Sequence, residues 1–180
     1  MKTELTEATV KKTEKTHRYR VVAWWTSGRA GIAKADSAPN VVHFAAPAEF
    51  SGLEAMWTPE DLLLSAVASC FTATFFVIAE YAKLEYRDLE VEAEGIVSRA
   101  DLGYNFSEIV VRPTLTIANE QERKHALDLL QKAETLCLVS RSLATPHKFE
   151  VHVNLIELAS TNGPSTEFNQ SSKLKVATKP

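Results

Sequence analysis

The most informative stretch of the chain is the apolar one from Leu62 to Ala79, which carries no charge. Thr58 suits a helix N-cap, Pro59 the first helical position, and Glu60 and Asp61 the positive end of a helix dipole. These residues predict a helix from Thr58 to about Leu84, apolar nearly all round and therefore buried as the central helix of the fold. Beyond it, Leu89, Val91, Ala93 and Val97 alternate with Glu90, Glu92 and Glu94, the pattern of a strand with one wet face. Asp101-Leu102-Gly103 supplies a turn, and Phe106 to Ile117 reads as the returning strand, with Pro113 placing it near an edge or a bulge. A second helix is expected to open at Asn119, with Glu122 completing a capping box. Its apolar stripe is Ala126, Leu129, Leu130, Ala133, Leu136 and Cys137. Ser140 is expected to cap a further short turn through Leu143, and Phe149 to Ile156 alternates as a last strand. Upstream, Tyr19 to Trp25 and Val41 to Phe44 read as strands, with a turn at Ser27-Gly28 and a loop over Pro47 to Trp57. Hairpins separated by whole helices give an α+β fold of antiparallel sheets around the long helix.

At 180 residues the chain suits one domain with tails. The expected division is a tail or edge segment at 1–16, the α+β domain at 17–158 and a disordered tail at 159–180, where Thr, Asn, Gly, Pro, Ser and Lys predominate. The formal charge of −3 gives no reason to expect nucleic acid or anionic lipid as a partner. The uncharged stretch is about as long as a membrane span. However, Ser65, Ser69, Thr72 and Thr74 interrupt it and no cationic cluster flanks it, so no membrane partner is expected. The charged start Met1-Lys2-Thr3-Glu4 is unlike a signal core, and the cytoplasm is the expected location.

Two cysteines are too few for a secreted disulfide scaffold. Cys70 lies mid-way along the apolar helix, where a free thiol can simply pack as a small hydrophobe. Yet Ala66, Ala73 and Thr74 on its face leave room around the sulfur, and Cys137 also falls on an apolar helical face. The pair is spaced too widely for a zinc motif, which leaves a disulfide or a redox dithiol. A reactive Cys70 meets an obstacle, because apolar surroundings raise a thiol pKa and a mid-helix position offers no helix N-terminus. A guanidinium at ~4 Å in an effective dielectric of ~20 contributes up to ~4 kcal/mol, worth roughly three pKa units. A fixed positive charge is therefore expected beside Cys70. The five histidines show no ligand spacing, His125 reads as a surface residue, and no metal or organic cofactor is expected.

The segment Thr58-Pro59-Glu60-Asp61-Leu62-Leu63-Leu64-Ser65-Ala66-Val67-Ala68-Ser69-Cys70-Phe71 closely resembles the cysteine helix of the OsmC/Ohr family, the osmotically inducible and organic hydroperoxide resistance proteins. Cys137-Leu138-Val139-Ser140 resembles its second motif, usually Cys-Pro-x-Ser, with Leu138 in place of the proline. Ser27-Gly28-Arg29-Ala30-Gly31 stands where the family often has an arginine loop. The resemblance spans about residues 19 to 157. It implies a thiol peroxidase of the stress response, with Cys70 peroxidatic, Cys137 resolving, and Arg29 held by Glu60 to activate Cys70.

Glu60 and Cys70 are ten residues apart on one helix, ~15 Å along its axis, so a clamp at Glu60 cannot serve Cys70 of the same straight helix. The expected solution is an interlocked homodimer in which Arg29 and Glu60 of one subunit complete the site of the other. Organic hydroperoxides are the expected substrates, and Phe71, Phe75, Trp57 and Met56 are candidates for an apolar wall. The resemblance implies a lipoyl-type dithiol or small thiol as reductant. Two other functions fit the same residues: a binding protein for a small apolar ligand, and a thiol redox sensor.

Overall fold

The computed structural model describes residues 15–156. Most of the expected N-terminal segment and the whole of 159–180 lie outside the described residues. Three strands come first, β1 (Val21–Ser27), β2 (Ala30–Ala35) and β3 (Val41–Ala45), paired antiparallel in that order. β2 was not foreseen: Ala-Gly-Ile-Ala-Lys-Ala contains one β-branched residue, so its pattern is faint. Close packing explains its small residues. A Cβ on Gly31 would stand 2.6 Å from the Trp24 carbonyl oxygen and 2.7 Å from the Phe44 ring.

After a loop containing a 3₁₀ turn at Ala48–Phe50, helix α1 runs from Pro59 to Ala82. Thr58 caps it as expected, but through a reciprocal pair with Asp61: the Asp61 N–H donates to Thr58 Oγ1, and the Thr58 N–H donates to the Asp61 carboxylate. Lys83 ends the helix in the left-handed conformation, its N–H returning to the last turn.

The second sheet is built on a long antiparallel hairpin, β4 (Tyr86–Ala100) and β5 (Gly103–Ile117), turned at Asp101-Leu102 with Gly103 at φ 121°. A 3₁₀ turn at Glu120–Glu122 precedes helix α2 (Arg123–Leu136). Asn119 caps the turn by accepting from Gln121 N–H, so the expected Asn119–Glu122 box is not what starts α2. A short helix α3 (Leu138–Ser142) follows with Cys137 at its N-cap, so Ser140 lies within that turn and does not cap it. The expected last strand is two pieces, β6 (His147–Phe149) and β7 (His152–Leu155), both parallel to β5. β5 is thus a central strand, and Pro113 is buried within it instead of lying at an edge. It falls where the ladder to β6 ends at Val111↔Phe149 and the ladder to β7 begins at Thr114↔His152. A residue without an N–H is tolerated where a ladder is interrupted.

The core lies between α1, α2 and the second sheet. Val67, Phe71, Phe75 and Ala79, one helical face at four-residue steps, pack with Ile109, Val111, Leu115, Ile117 and the Ala126–Leu130–Ala133 face of α2. Phe71 meets Phe149 and Phe75 meets Tyr86 at ring-centroid distances of 5.7 and 5.5 Å. The expectation that α1 is buried all round does not hold within one chain. Its other faces are open, with Phe76 57% and Tyr81 85% exposed. The reason is that a single chain brings only one sheet and the short helices against it. The β1–β3 sheet packs substantially on no other element among the described residues, and leaves Trp25 75% exposed. By length and composition α1 could cross a membrane; in this fold its buried stripe is part of an α+β core.

Candidate functional site

The two sulfurs meet where α1 passes the start of α3. Cys70 lies beside the buried face of α1 and is partly covered, whereas Cys137 is fully buried; both are free thiols. Every helix start leaves amide hydrogens without intrahelical partners. Here one of them, Val139 N–H, points at Cys70 Sγ at 3.5 Å. The Cys137 side chain and Leu138 N–H also favour its ionised form, with Thr74 contributing least. The Thr74 hydroxyl is itself committed to the Cys70 carbonyl oxygen at 2.8 Å. On the other thiol, the buried Ser140 hydroxyl donates to Cys137 Sγ at 3.2 Å.

These contacts divide the two thiols. Burial pushes Cys70 up, but the Val139 amide, the Cys137 thiol and the Leu138 amide together outweigh it and leave Cys70 below the ordinary thiol range. Burial also pushes Cys137 up, and there it prevails. The Ser140 hydroxyl only partly offsets it, and sharing a proton with Cys70 raises Cys137 further. The proton between the sulfurs therefore belongs to Cys137, and Cys70 is the better thiolate. Among the described residues of this one chain no cation contributes to this, and the groups that do are backbone amides and the Cys137 thiol. Amides of a neighbouring element were missed because the sequence points to a cationic side chain, and a backbone amide has no residue type to look for. The signal was present in the break at Cys137, followed by a short helix.

Arg29 and Glu60 lie elsewhere. Arg29 follows the turn at Gly28, is exposed, and donates to the Phe50 carbonyl oxygen at 2.7 Å. Glu60, in the first turn of α1, has one carboxylate oxygen buried without a partner. It lines a cleft of about 620 Å³ with Phe50, Met56, Leu64, Tyr104 and Phe106 among its walls. Phe50 thus links Arg29 to the Glu60 cleft, but among the described residues the two form no ion pair. Neither contributes to the surroundings of Cys70. Of the expected apolar wall, Phe71 and Phe75 are core residues with no exposed surface. Met56 and Trp57 instead line a second open groove of about 590 Å³ with Leu64, Ser65 and Ala68.

One further buried pair was not foreseen. Glu134, one turn before Cys137, and His147, at the start of β6, each bury a polar atom without a hydrogen-bond partner. Burial pushes the Glu134 carboxyl up, and the charge of His147 partly offsets it. His125 is exposed and paired with Glu122 at 3.2 Å, in keeping with a surface role.

Comparison with known proteins places this architecture. The uncharacterized protein YmaD of Bacillus subtilis is 28% identical over 130 residues, covering 71% of this chain and 87% of that protein. Among solved structures, an OsmC-like protein of unknown function from Vibrio cholerae superposes with a TM-score of 0.67 at 18% identity, covering 76% of this chain and 99% of that one. An organic hydroperoxide resistance protein from Elizabethkingia anophelis gives a TM-score of 0.64 at 20% identity, covering 79% and 99%. At these identities the structures share the fold. The profile of the OsmC-like protein family matches residues 52–152, a span that holds Glu60, Cys70 and Cys137 but not Arg29, and the chain belongs to that family.

Proposed function

We propose that the protein is a thiol peroxidase that reduces organic hydroperoxides to alcohols, with Cys70 as the attacking and Cys137 as the resolving residue. The carrying observation is the unequal pair: one sulfur faces amide donors and is favoured as thiolate, while its neighbour keeps the proton. Family membership supports a peroxidase-like redox role. The hydroperoxide resistance protein among its structural relatives supports the choice of substrate class.

In this reading the Cys70 thiolate attacks the terminal peroxide oxygen, the O–O bond breaks, and the alkoxide leaves as alcohol after taking a proton. The product is Cys70 sulfenic acid. Cys137 attacks that sulfur, its thiol proton and the sulfenic hydroxyl depart as water, and a Cys70–Cys137 disulfide remains. An external dithiol, lipoyl-type or a small thiol, restores both thiols by exchange and is itself oxidised. Free thiols suit a reducing compartment such as the cytoplasm.

The working unit is a homodimer. The open faces of α1 and the unpacked β1–β3 sheet leave Trp24, Trp25, Phe76 and Tyr81 exposed, large apolar groups that a second subunit would cover. In the dimer, Arg29 and Glu60 of one subunit orient the peroxide at Cys70 of the other, which gives the unpartnered Glu60 oxygen a role.

Steady-state consumption of cumene hydroperoxide with added dithiol tests the enzyme. Wild type should turn over, Cys70→Ser should not, and Cys137→Ser should stop as sulfenic acid after one equivalent. Oxidation of wild type once without turnover would instead favour a redox sensor. Mixing Arg29→Met with Cys70→Ser subunits should restore part of the activity, and a monomeric mass in solution would rule out the shared site.

A further inference from the structure

Between Ala133, the last fully buried residue of α2, and Cys137, one side chain turns inward. Thr135 and Leu136 are exposed, whereas Glu134 buries a carboxylate oxygen. The chain re-enters the second sheet at His147, which pairs with Ile109 and buries its ring Nε2. Residues 135–146, which carry Cys137, Ser140 and α3, thus form an excursion with Glu134 at one foot and His147 at the other. The two buried atoms lack hydrogen-bond partners and belong to groups of opposite charge type. The charge of His147 is the one that acts on Glu134 among the described residues. Other charges are turned away. Lys148 follows on the opposite face of β6 and holds Glu108 at 2.8 Å, Arg141 of α3 is exposed, and α1 is uncharged from Leu62 to Ala79. Burial opposes ionisation of Glu134, and a buried group that opposes stability is expected where it serves function.

We infer that Glu134 and His147 form a buried clasp across the foot of this segment, and that the clasp positions Cys137 for attack on Cys70. This deepens the peroxidase reading and rests on it only for what oxidises Cys70. The clasp ties the last turn of α2, which no other inward side chain holds beyond Ala133, to the first residue of β6. Without it that turn is free to drift, and the Cys137 sulfur drifts with it. Both are positioning residues, since the hydrogen bonds to the sulfurs come from Val139 and Ser140.

The test uses dithionitrobenzoate, a symmetrical aryl disulfide, and no peroxide. The Cys70 thiolate attacks one of its sulfurs, expels a first nitrothiobenzoate and keeps the other as a mixed disulfide. The Cys137 thiolate then attacks the Cys70 sulfur, expels the second and closes the protein disulfide. Glu134→Gln and His147→Gln should each slow the second release roughly two- to tenfold, as expected of coupled neighbours, and leave the first unchanged. The double variant should be no slower than the slower single, because the clasp is lost once. Urea midpoints at pH 7 should move up for Glu134→Gln and down for His147→Gln, whereas a merely structural role would make closure follow stability. The gap between wild type and Glu134→Gln should narrow as pH falls and the carboxyl, held above its ordinary range by burial, takes up its proton. The inference is overturned if Glu134→Gln closes as fast as wild type or faster, the mark of a carboxylate that only opposes the Cys137 thiolate. It is also overturned if the two losses multiply in the double variant, or if wild type stops after one release. Glu134→Gln alone decides if His147→Gln does not fold. A protein that closes in this pattern yet never turns over peroxide loses the peroxidase reading and keeps the clasp. One that turns over with both variants closing normally loses only the clasp.

Discussion

Removing the Ser140 hydroxyl probes the resolving role proposed for Cys137. In Ser140→Ala, Cys137 loses an O–H donor at 3.2 Å in a buried setting, with little else changed. A neutral hydrogen bond is worth about 0.5–1.5 kcal/mol net, which converts to roughly 0.4–1.1 pKa units. The sign follows from the direction of the contact: the hydroxyl lowers the Cys137 pKa, so its loss pushes an already raised thiol further up. The thiolate fraction at neutral pH then falls roughly 2.5- to 12-fold. Intrinsic nucleophilicity rises with pKa with a Brønsted slope of about 0.4–0.5. Applied to attack on the sulfenic sulfur, this recovers nearly half of the loss on a logarithmic scale. Disulfide closure should therefore slow only by about 1.6- to 4-fold.

Single-turnover oxidation with one equivalent of hydroperoxide, quenched and alkylated at intervals, measures closure separately from the peroxide step. The slowing should shrink as pH rises toward the Cys137 midpoint, and sulfenic acid formation at Cys70 should keep its rate. A closure rate identical to wild type across pH would refute the assigned role of Ser140. A loss well beyond tenfold that ignores pH would show that the hydroxyl holds the α3 turn in place and does not tune the thiol.

Three stability effects follow from other parts of the structure. Burial raises the Glu134 pKa, so the native state resists its ionisation. Glu134→Gln should raise the urea midpoint at pH 7, with the difference vanishing as pH falls through the carboxylate range and wild type becomes neutral too. Arg112 joins Glu92, Glu94 and Glu150 on the second sheet. Arg112→Met should lower stability at low salt in urea titrations, with the loss shrinking as salt is added and screens the three ion pairs. Phe71→Ala opens the centre of the core beside Phe149 and should cost about 3–5 kcal/mol of unfolding free energy in urea titrations.

What could be read from the sequence depended on whether the signal was local. The α1 cap, the β4–β5 hairpin and the buried face of α2 are each written in a short stretch, and each appears where expected. β2 escaped because its identity lies in close packing between β1 and β3 and not in its own residues. Pro113 suggests an edge or a bulge because the interruption between β6 and β7 is visible only when three strands are assembled. The site shows the same division. Cys70 and Cys137 were legible as a pair from their helical faces, and their contact is a tertiary fact that the faces allowed. The Val139 donor was not legible, since a backbone amide has no residue type to recognise. Arg29 and Glu60 were named through family likeness, and the single chain keeps them near the Phe50 cleft, away from the sulfurs.

In the proposed peroxidase cycle, the position of Cys137 at a helix break bears on the order of events. Around Cys70 α1 carries neither a charged side chain nor a free amide, so ionisation depends on groups from another element, and free amides occur where a helix begins. Placing Cys137 at the N-cap of α3 brings such amides and the second sulfur to Cys70 together. Both are carried by the same few residues, so the movement that brings Cys137 Sγ into bonding distance also displaces Val139 N–H. Before peroxide arrives that amide favours the thiolate. Once the sulfur is a sulfenic acid it carries no charge, the contact loses most of its worth, and the turn is freer to shift toward the disulfide. On the peroxidase reading, the oxidation of Cys70 thus releases the element that completes its own resolution.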